Sequence, residues 1–261
     1  MPRPIPTRTA DVTPRGAPAG GGRALPVAAR EKTTRLPGYL LVTLLVGGVA
    51  ERASAHHPGH DLNEAMGSKE RFFEAVDKPT PPFTLEDAEG QPVSLEDLRG
   101  KVVVLHFIYT DCPDVCPLHA ERIAEIQAMV NRTPMRKLVQ FVTITTDPAN
   151  DTPDVLRDYG PAHGLDPVNW VFLTSGSDRS EDTTRKLAER FGHKFTQTED
   201  GYQIHGVVTH VIDRDGHWQA NFHGLKFEPA NLVVYVNALT HPDTVGALPE
   251  ASWWGKLRNL F

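Results

Sequence analysis

The chain has almost no cysteine. Of its 261 residues only two are cysteines, Cys112 and Cys116, so the disulfide framework that staples small secreted domains is excluded. Long apolar runs are also missing. The strongest run, residues 38–50 (GYLLVTLLVGGVA), falls short of the roughly 20 residues that span a bilayer comfortably. Large apolar side chains are scarce in the first 35 residues, which are rich in Pro, Gly, Ala and Arg. Such a segment buries no core and is expected to be disordered. No internal repeat is present. Over the rest of the length, the overall 39% hydrophobic and 23% charged content fits a folded domain.

Positive charge is scarce too, and its distribution is informative. Arg30, Lys32 and Arg35 precede the apolar run, and Ala53-Ser54-Ala55 follows it. Charged flank, short apolar core and small-x-small site read as a secretory signal cleaved near Ala55. An uncleaved membrane anchor is the alternative. The protein is then expected to be exported, either periplasmic or anchored to the outer face of the inner membrane. Removing residues 1–55 takes away eight basic and three acidic side chains, a net +5, and moves the charge from −6 to −11. That surface repels nucleic acid phosphates and suits a cationic partner or a metal ion.

The expected division is a leader over 1–55, a His-containing linker or short helix over 56–79, a compact domain over 80–240 and a tail over 241–261. Leu62 to Val76 is read as a short helix, broken by Pro79, Pro81 and Pro82. Phe83 and Leu85 alternate as in a strand, and Ser94 to Asp97 reads as a capped turn. Lys101 to Tyr109, Leu138 to Thr145 and Trp170 to Thr174 are buried-strand candidates. Leu118 to Val130 is a helix with an apolar stripe at Ile123, Ile126, Met129 and Val130. Asp151 or Thr152, then Pro153, starts a helix ending near Gly160. Asp178 to Phe191 is a helix closed by Gly192. Val207 to Ile212 and Trp218 to Phe222 form a hairpin around Asp213-Arg214-Asp215-Gly216. Pro229 to Leu239 is the last helix. Strands alternating with helices, then a hairpin and a helix, indicate an α/β sandwich around a mixed central β-sheet flanked by helices. The tail carries Trp253, Trp254 and Phe261 beside Lys256 and Arg258, a pattern for lying on a membrane surface or docking on the domain.

The cysteines sit between the first long strand and its helix, in Thr110-Asp111-Cys112-Pro113-Asp114-Val115-Cys116-Pro117. A bridge closing so small a loop constrains the unfolded chain little, so a structural disulfide is a weak explanation. If Cys116 lies in the first helical turn, the macrodipole should lower its pKa. Residues four apart on a helix share a face, so the sulfurs can converge. They can close as a disulfide or hold a soft ion, Cu(I) or Zn(II), with an imidazole as the natural third ligand. Twelve histidines compete for that place. His106, within the strand, is read as structural. His119, one turn past Cys116, is read as facing solvent. His205 precedes the hairpin strand and His210 lies inside it; five apart, they face opposite sides, so at most one points at the cysteines. Asp114 is read as turn-forming, and Asp147 and Asp151 as holding a loop and capping a helix. The cluster at His56, His57 and His60 would begin a cleaved chain, either as a flexible tail or as a copper-recruiting terminus.

The stretch Phe107 to Pro117 closely resembles the signature of the SCO/SenC family, copper-handling proteins of thioredoxin-like fold. The likeness continues through residues 146–153 (TDPANDTP), Trp170-Val171-Phe172-Leu173-Thr174 and Val211 to Gly216. It covers about residues 80 to 240. The resemblance implies a thioredoxin-like fold and a copper site, Cu(I) or Cu(II), built from Cys112, Cys116 and one histidine before the last hairpin. Measured back from Asp213 that histidine is His205, with His210 in reserve. The sequence departs from the family at Gly206, where Ser or Thr is common, and at His210, which takes an aromatic position.

The resemblance further implies a metallochaperone delivering copper to the CuA centre of cytochrome c oxidase subunit II. Contacts with other copper carriers or thiol–disulfide proteins, and proximity to a membrane, go with that role. The rival is a thiol–disulfide reductase that keeps the acceptor's cysteines reduced by way of a mixed disulfide, with Cys112 and Cys116 redox-active. A weaker rival is a peroxidase using Thr110 and an arginine; no arginine lies close in sequence.

Overall fold

A computed structural model describes residues 58–176, 182–197, 203–204 and 206–241. The leader, the signal segment, His56, His57, His205 and the tail beyond His241 lie outside the described residues. Among the described residues no helix is long and apolar enough to cross a membrane.

In chain order the elements are α1 (Pro58–Gly67), β1 (Phe73–Pro79), β2 (Thr84–Glu86), β3 (Pro92–Ser94), β4 (Val102–Ile108) and α2 (Val115–Asn131). There follow β5 (Val139–Thr145), α3 (Pro153–Ala162), β6 (Trp170–Leu173), α4 (Asp182–Arg190) and the short β7 (Thr196–Gln197) and β8 (Gln203–Ile204). The hairpin β9 (Val208–Ile212) and β10 (His217–His223) leads to α5 (Pro229–Thr240). The main sheet has six strands in the order β1-β10-β9-β4-β5-β6. Strands β4, β5 and β6 are parallel, while β9, β10 and β1 add antiparallel on the other side. This is the expected mixed α/β sandwich of thioredoxin-like type.

Strand β4 is buried along its whole length, because both faces of the sheet are covered and a parallel central strand meets no water. Its alternate side chains serve two cores. Val102, Val104 and Ile108 pack with α2, α3 and α5, in the cluster that also holds Cys112 and Cys116. Val103, Leu105 and Phe107 pack on the other face with Leu187, Ala188, Phe191, Ile212 and Trp218. Burying each such side chain contributes about 1.5–3 kcal/mol. The close fit of α3 on β6 needs Gly160: a Cβ there would meet the Trp170 ring at 2.2 Å. The β9–β10 turn follows the sequence reading. The Asp213 carboxylate accepts from the Asp215 and His217 N–H groups, and Gly216 supplies φ +73°.

Two boundaries are corrected. The helix read over Leu62 to Val76 ends at Gly67, and Phe73 to Pro79 is an edge strand on β10. Pairing of Phe73 with Phe222, whose rings meet edge-on at 5.4 Å, outweighs the helical propensity of Glu-Arg-Phe-Phe-Glu-Ala-Val. The packed domain therefore starts well before residue 80.

Candidate metal centre

The cysteine segment leaves β4 at Ile108 and enters α2 at Val115. Cys112 lies in the turn between them, its N–H donating to the Tyr109 carbonyl at 3.3 Å. Cys116 lies in the first turn of α2, as expected. Both thiols are unbridged and buried, 7% and 1% exposed, and the Cys116 thiol is hydrogen-bonded to the Cys112 sulfur. The sequence-predicted pair is thus brought together.

The electrostatics invert one expectation. Burial pushes the Cys112 thiol up, but it is outweighed by the Asp114 and Cys116 N–H groups, the Cys116 thiol and the Tyr109 hydroxyl, and the net shift is downward. Cys116, expected to fall, is instead raised, first by burial and then by Cys112 and Asp151, despite an N–H from Tyr109. The reason is position. The N–H groups of the α2 start converge on the sulfur just outside the helix, and that sulfur belongs to Cys112. Cys116, inside the helix, is buried in the core cluster. The pair therefore has an outer thiolate-prone sulfur and an inner thiol that donates to it.

Asp151 supports this loop. It is 1% exposed. Its carboxylate accepts from the Thr110 N–H at 3.3 Å and, by short contacts, from the hydroxyls of Thr110 and Thr145. It does not cap α3; the N-cap is Thr152, without a side-chain bond. Burial raises its pKa, opposed by the two threonines. Asp147 holds the neighbouring turn as expected, accepting from the Asn150 side chain at 2.9 Å. The Thr110 hydroxyl, which a peroxidase would need, is committed to Asp151.

Tyr109 and Tyr159 complete the surroundings, and neither was singled out from sequence. Tyr159 is on α3 and shares the cysteines' core. Burial raises its pKa, and negative charge at Cys116 and Cys112 adds to the effect. The i, i+3 pairing of Leu156 and Tyr159 on a helix started by Pro153 was the available signal.

The histidines separate cleanly. His106 is in the core as expected, with Nε2 3.3 Å from Thr143 Oγ1; burial lowers its pKa to about 3. His119, expected to face solvent, is 2% exposed and sits against the sheet, 2.9 Å from Thr209 Oγ1. His210, the reserve ligand, is on the opposite face from the cysteines. It contacts Phe107, Phe191 and Trp218 there. Its Nδ1 meets Asn221 Oδ1 at 2.7 Å and its Nε2 meets His193 Nε2 at 2.9 Å. Strand alternation explains it, since His210 pairs with Leu105 and shares that residue's face. The structure thus takes His210 away from the site. His205 lies outside the described residues. Among the described residues no group of three or more His, Cys, Asp or Glu is placed to hold a metal ion. The two sulfurs alone suit a soft, low-coordinate ion such as Cu(I).

Comparison with known proteins agrees with this architecture. A family model described as SCO1/SenC matches residues 74–240. An SCO2-like protein of Rickettsia prowazekii is 29% identical over 144 residues, covering 54% of this chain and 68% of that protein. A SCO1/SenC family lipoprotein from Bacillus anthracis is similar in structure, with a TM-score of 0.57 at 28% identity over 64% of this chain and 97% of that one. Bradyrhizobium japonicum ScoI, solved with copper bound, gives a TM-score of 0.51 at 28% identity, covering 62% of this chain and 99% of that one.

Proposed function

The chain belongs to the SCO1/SenC family, and from that premise we propose that it is a copper metallochaperone that delivers copper to the CuA centre of cytochrome c oxidase subunit II. The observation that carries the proposal is the pair of hydrogen-bonded sulfurs of Cys112 and Cys116 at the start of α2. A relative of the same family, the Bradyrhizobium protein, binds copper. Copper is cargo in this reading. Cys112 and Cys116 hold Cu(I) as thiolates, and His205 is the proposed third ligand. Three ligands leave Cu(I) open to attack by an incoming cysteine or histidine, so the ion passes by ligand exchange. The lipoprotein relative and the charged, apolar and small-residue order before Ala55 support an exported protein held near the membrane.

A second reading is favoured by the placement of the two thiols: N–H groups at the start of α2 favour charge on Cys112, while burial disfavours it on Cys116. An outer, thiolate-prone sulfur and an inner protonated one suit attack and resolution in thiol–disulfide exchange. The two roles share the cysteines and differ in the histidine. The deciding experiment is anaerobic Cu(I) titration of the reduced protein beside Cys112→Ser, Cys116→Ser, His205→Ala and His210→Ala. The chaperone reading expects tight one-to-one binding lost with either cysteine, weakened with His205→Ala and retained with His210→Ala. Wild-type binding no tighter than that of the double cysteine variant would sink it. Reductase activity on an oxidised acceptor peptide that survives His205→Ala would support the second role.

A further inference from the structure

We propose that the end of the domain opposite the cysteines is a docking surface for an anionic lipid bilayer, and that the domain stands on the membrane there with Cys112 and Cys116 directed away from it. The inference rests on the exported, membrane-held part of the reading above and not on copper.

The strands define two ends. Strand β4 runs from Val102 to Ile108 and delivers the chain to the cysteine loop, and β5 runs beside it in the same direction, with Val139 level with Val102. Helix α2 returns from the cysteines and closes at Arg132, and a 3-10 turn, Pro134–Lys137, then leads into β5. Arg132, Arg136 and Lys137 therefore lie at the far end. All three are exposed, and none has a side-chain hydrogen bond or ion pair among the described residues. The nearby Asp166 carboxylate is engaged by the Asn131 side chain and the Val168 N–H. Lys101 directly precedes β4, and Arg214 in the β9–β10 turn donates to the Gly100 carbonyl. Of the acids at this end, Glu96 pairs with Arg99, Asp97 accepts from Ser94, Asp213 holds its own turn, and Asp215 is exposed. The cysteine end has the opposite character. No Lys or Arg occurs between Val102 and Glu121, whereas Asp111 and Asp114 are exposed beside Cys112.

The chain also enters the domain from the basic end. Helix α1 runs antiparallel to α5: Asn63 meets Tyr235, and Glu70, beyond α1, meets the Glu228 N–H and Asn231 at the start of α5. Pro58 is therefore level with the last turn of α5, where Arg214 also donates to the Thr240 carbonyl. Seven residues, 51–57, separate Pro58 from the apolar run at 38–50, a reach of at most about 25 Å. An apolar run held in a bilayer thus brings this end to lipid first. A tether limits distance but does not set orientation; charge does. Each Lys or Arg close to an anionic leaflet strengthens association about fivefold, so three unpaired cations give roughly a hundredfold. The same leaflet repels the acidic cysteine end. The resulting stance leaves the cysteine loop open to a partner protein.

The test reconstitutes the full-length chain in nanodiscs of phosphatidylcholine with or without phosphatidylglycerol, each carrying a lipid with a gadolinium-chelate headgroup. Spin labels are placed one at a time in a Cys112→Ser, Cys116→Ser background. One is at Val168→Cys, 47% exposed and next to Asn169, whose side chain reaches the Arg136 carbonyl; the other is at Leu118→Cys, 49% exposed near the cysteines. In anionic discs gadolinium should relax the label at 168 at least about fivefold more than the label at 118. The contrast should collapse in neutral discs, at high salt and in the triple variant Arg132→Gln, Arg136→Gln, Lys137→Gln. Thermal unfolding checks that the triple variant is folded, and the change of lipid tests the native cations without any substitution of them. Equal relaxation at the two labels, or more at 118, overturns the inference and leaves an acidic protein as the partner of these cations. A contrast that persists in neutral discs or in the triple variant overturns it as well. A chain that does not stay with the discs overturns it together with the membrane-held part of the proposed function, while Cu(I) titration is untouched by any of these outcomes.

Discussion

Each face of the central sheet buries a pair of histidines, and the two pairs are built differently. On the face away from the cysteines, His210 engages both ring nitrogens, one with His193 and one with Asn221. Asn221 also accepts from Trp218 and donates to Glu74, which meets His223 at the surface. On the cysteine face, His106 has one long contact to Thr143, and its Nδ1 has no partner among the described residues. Its neighbour His119, 4.7 Å away between ring centroids, turns to Thr209. A buried imidazole whose two nitrogens are engaged is part of the scaffold and has no lone pair left for an ion. The sulfurs pack on the other face, and it is there that chemistry is expected.

The largest expected effect tests that division directly. Replacing both Cys112 and Cys116 by Ser should abolish tight Cu(I) binding in a competition assay with a chromogenic chelator, while the urea midpoint moves little. A large loss of stability would show that the thiols are scaffold after all. On the other face the signs reverse. His210→Ala removes a fully buried ring and its bonds to His193 and Asn221, so it should cost about 3 kcal/mol of unfolding free energy by urea denaturation. Copper stoichiometry should be unchanged; its loss would return His210 to the site. Asp151→Ala is intermediate and affects both properties. It leaves the Thr110 and Thr145 hydroxyls without their shared acceptor, at a cost of about 2 kcal/mol. Because Thr110 is two residues from Cys112, Cu(I) affinity should fall as well.

Acidification acts on both pairs in the same direction. His106 and His210 both have folded pKa values below the ordinary histidine value, about 3 for His106, chiefly through burial. The unfolded chain takes up these protons near pH 6.5 and the native protein resists them. Stability should therefore be full above pH 6.5 and be lost as pH falls towards 3, by at most about 1.4 kcal/mol per pH unit for each group. Chemical denaturation at pH 7, 6, 5 and 4 checks the slope. The smallest effect is His106→Leu. At pH 7 it should lie within about 1 kcal/mol of wild type, since an imidazole with an unpaired nitrogen is exchanged for an apolar side chain and Thr143 keeps its bond from Trp170. The same variant should flatten the acid slope. An unchanged slope would mean that another group carries it.

The sequence was most legible where one physical effect dominated. The largely apolar, β-branched segments Val102–Ile108 and Val139–Thr145 became the parallel centre of the sheet, because a strand covered on both faces has little polar side to show. Asp213 to Gly216 became the hairpin turn because side-chain acceptor and positive-φ glycine are encoded side by side. The cysteine pair was legible as a site. What was not legible came from distant partners. Strand β1 depends on a ladder with β10, some of whose pairs join residues such as Phe73 and Phe222. The inversion of the two thiols depends on which sulfur the α2 N–H groups reach. The burial of His119 depends on Thr209, which lies 90 residues away. Asp151 has no local pattern that marks it as a neighbour of sulfur, and the helical spacing of Leu156 and Tyr159 marks Tyr159 only as a buried position.

One feature of the outer strand bears on how the molecule assembles in time. Strand β1 pairs only with β10 in the main sheet. The stretch just before β1 is fixed by the Glu70 carboxylate, which accepts from the Phe72 N–H, the Glu228 N–H and the Asn231 side chain at the start of α5. Asn63 of α1 accepts from Tyr235 of α5. These contacts close the largest loops in the domain, and closing large loops is what slows folding. The beginning of the domain must therefore wait for its end: until β10 and α5 have been made, β1 has no strand to pair with and α1 lacks its helix partner.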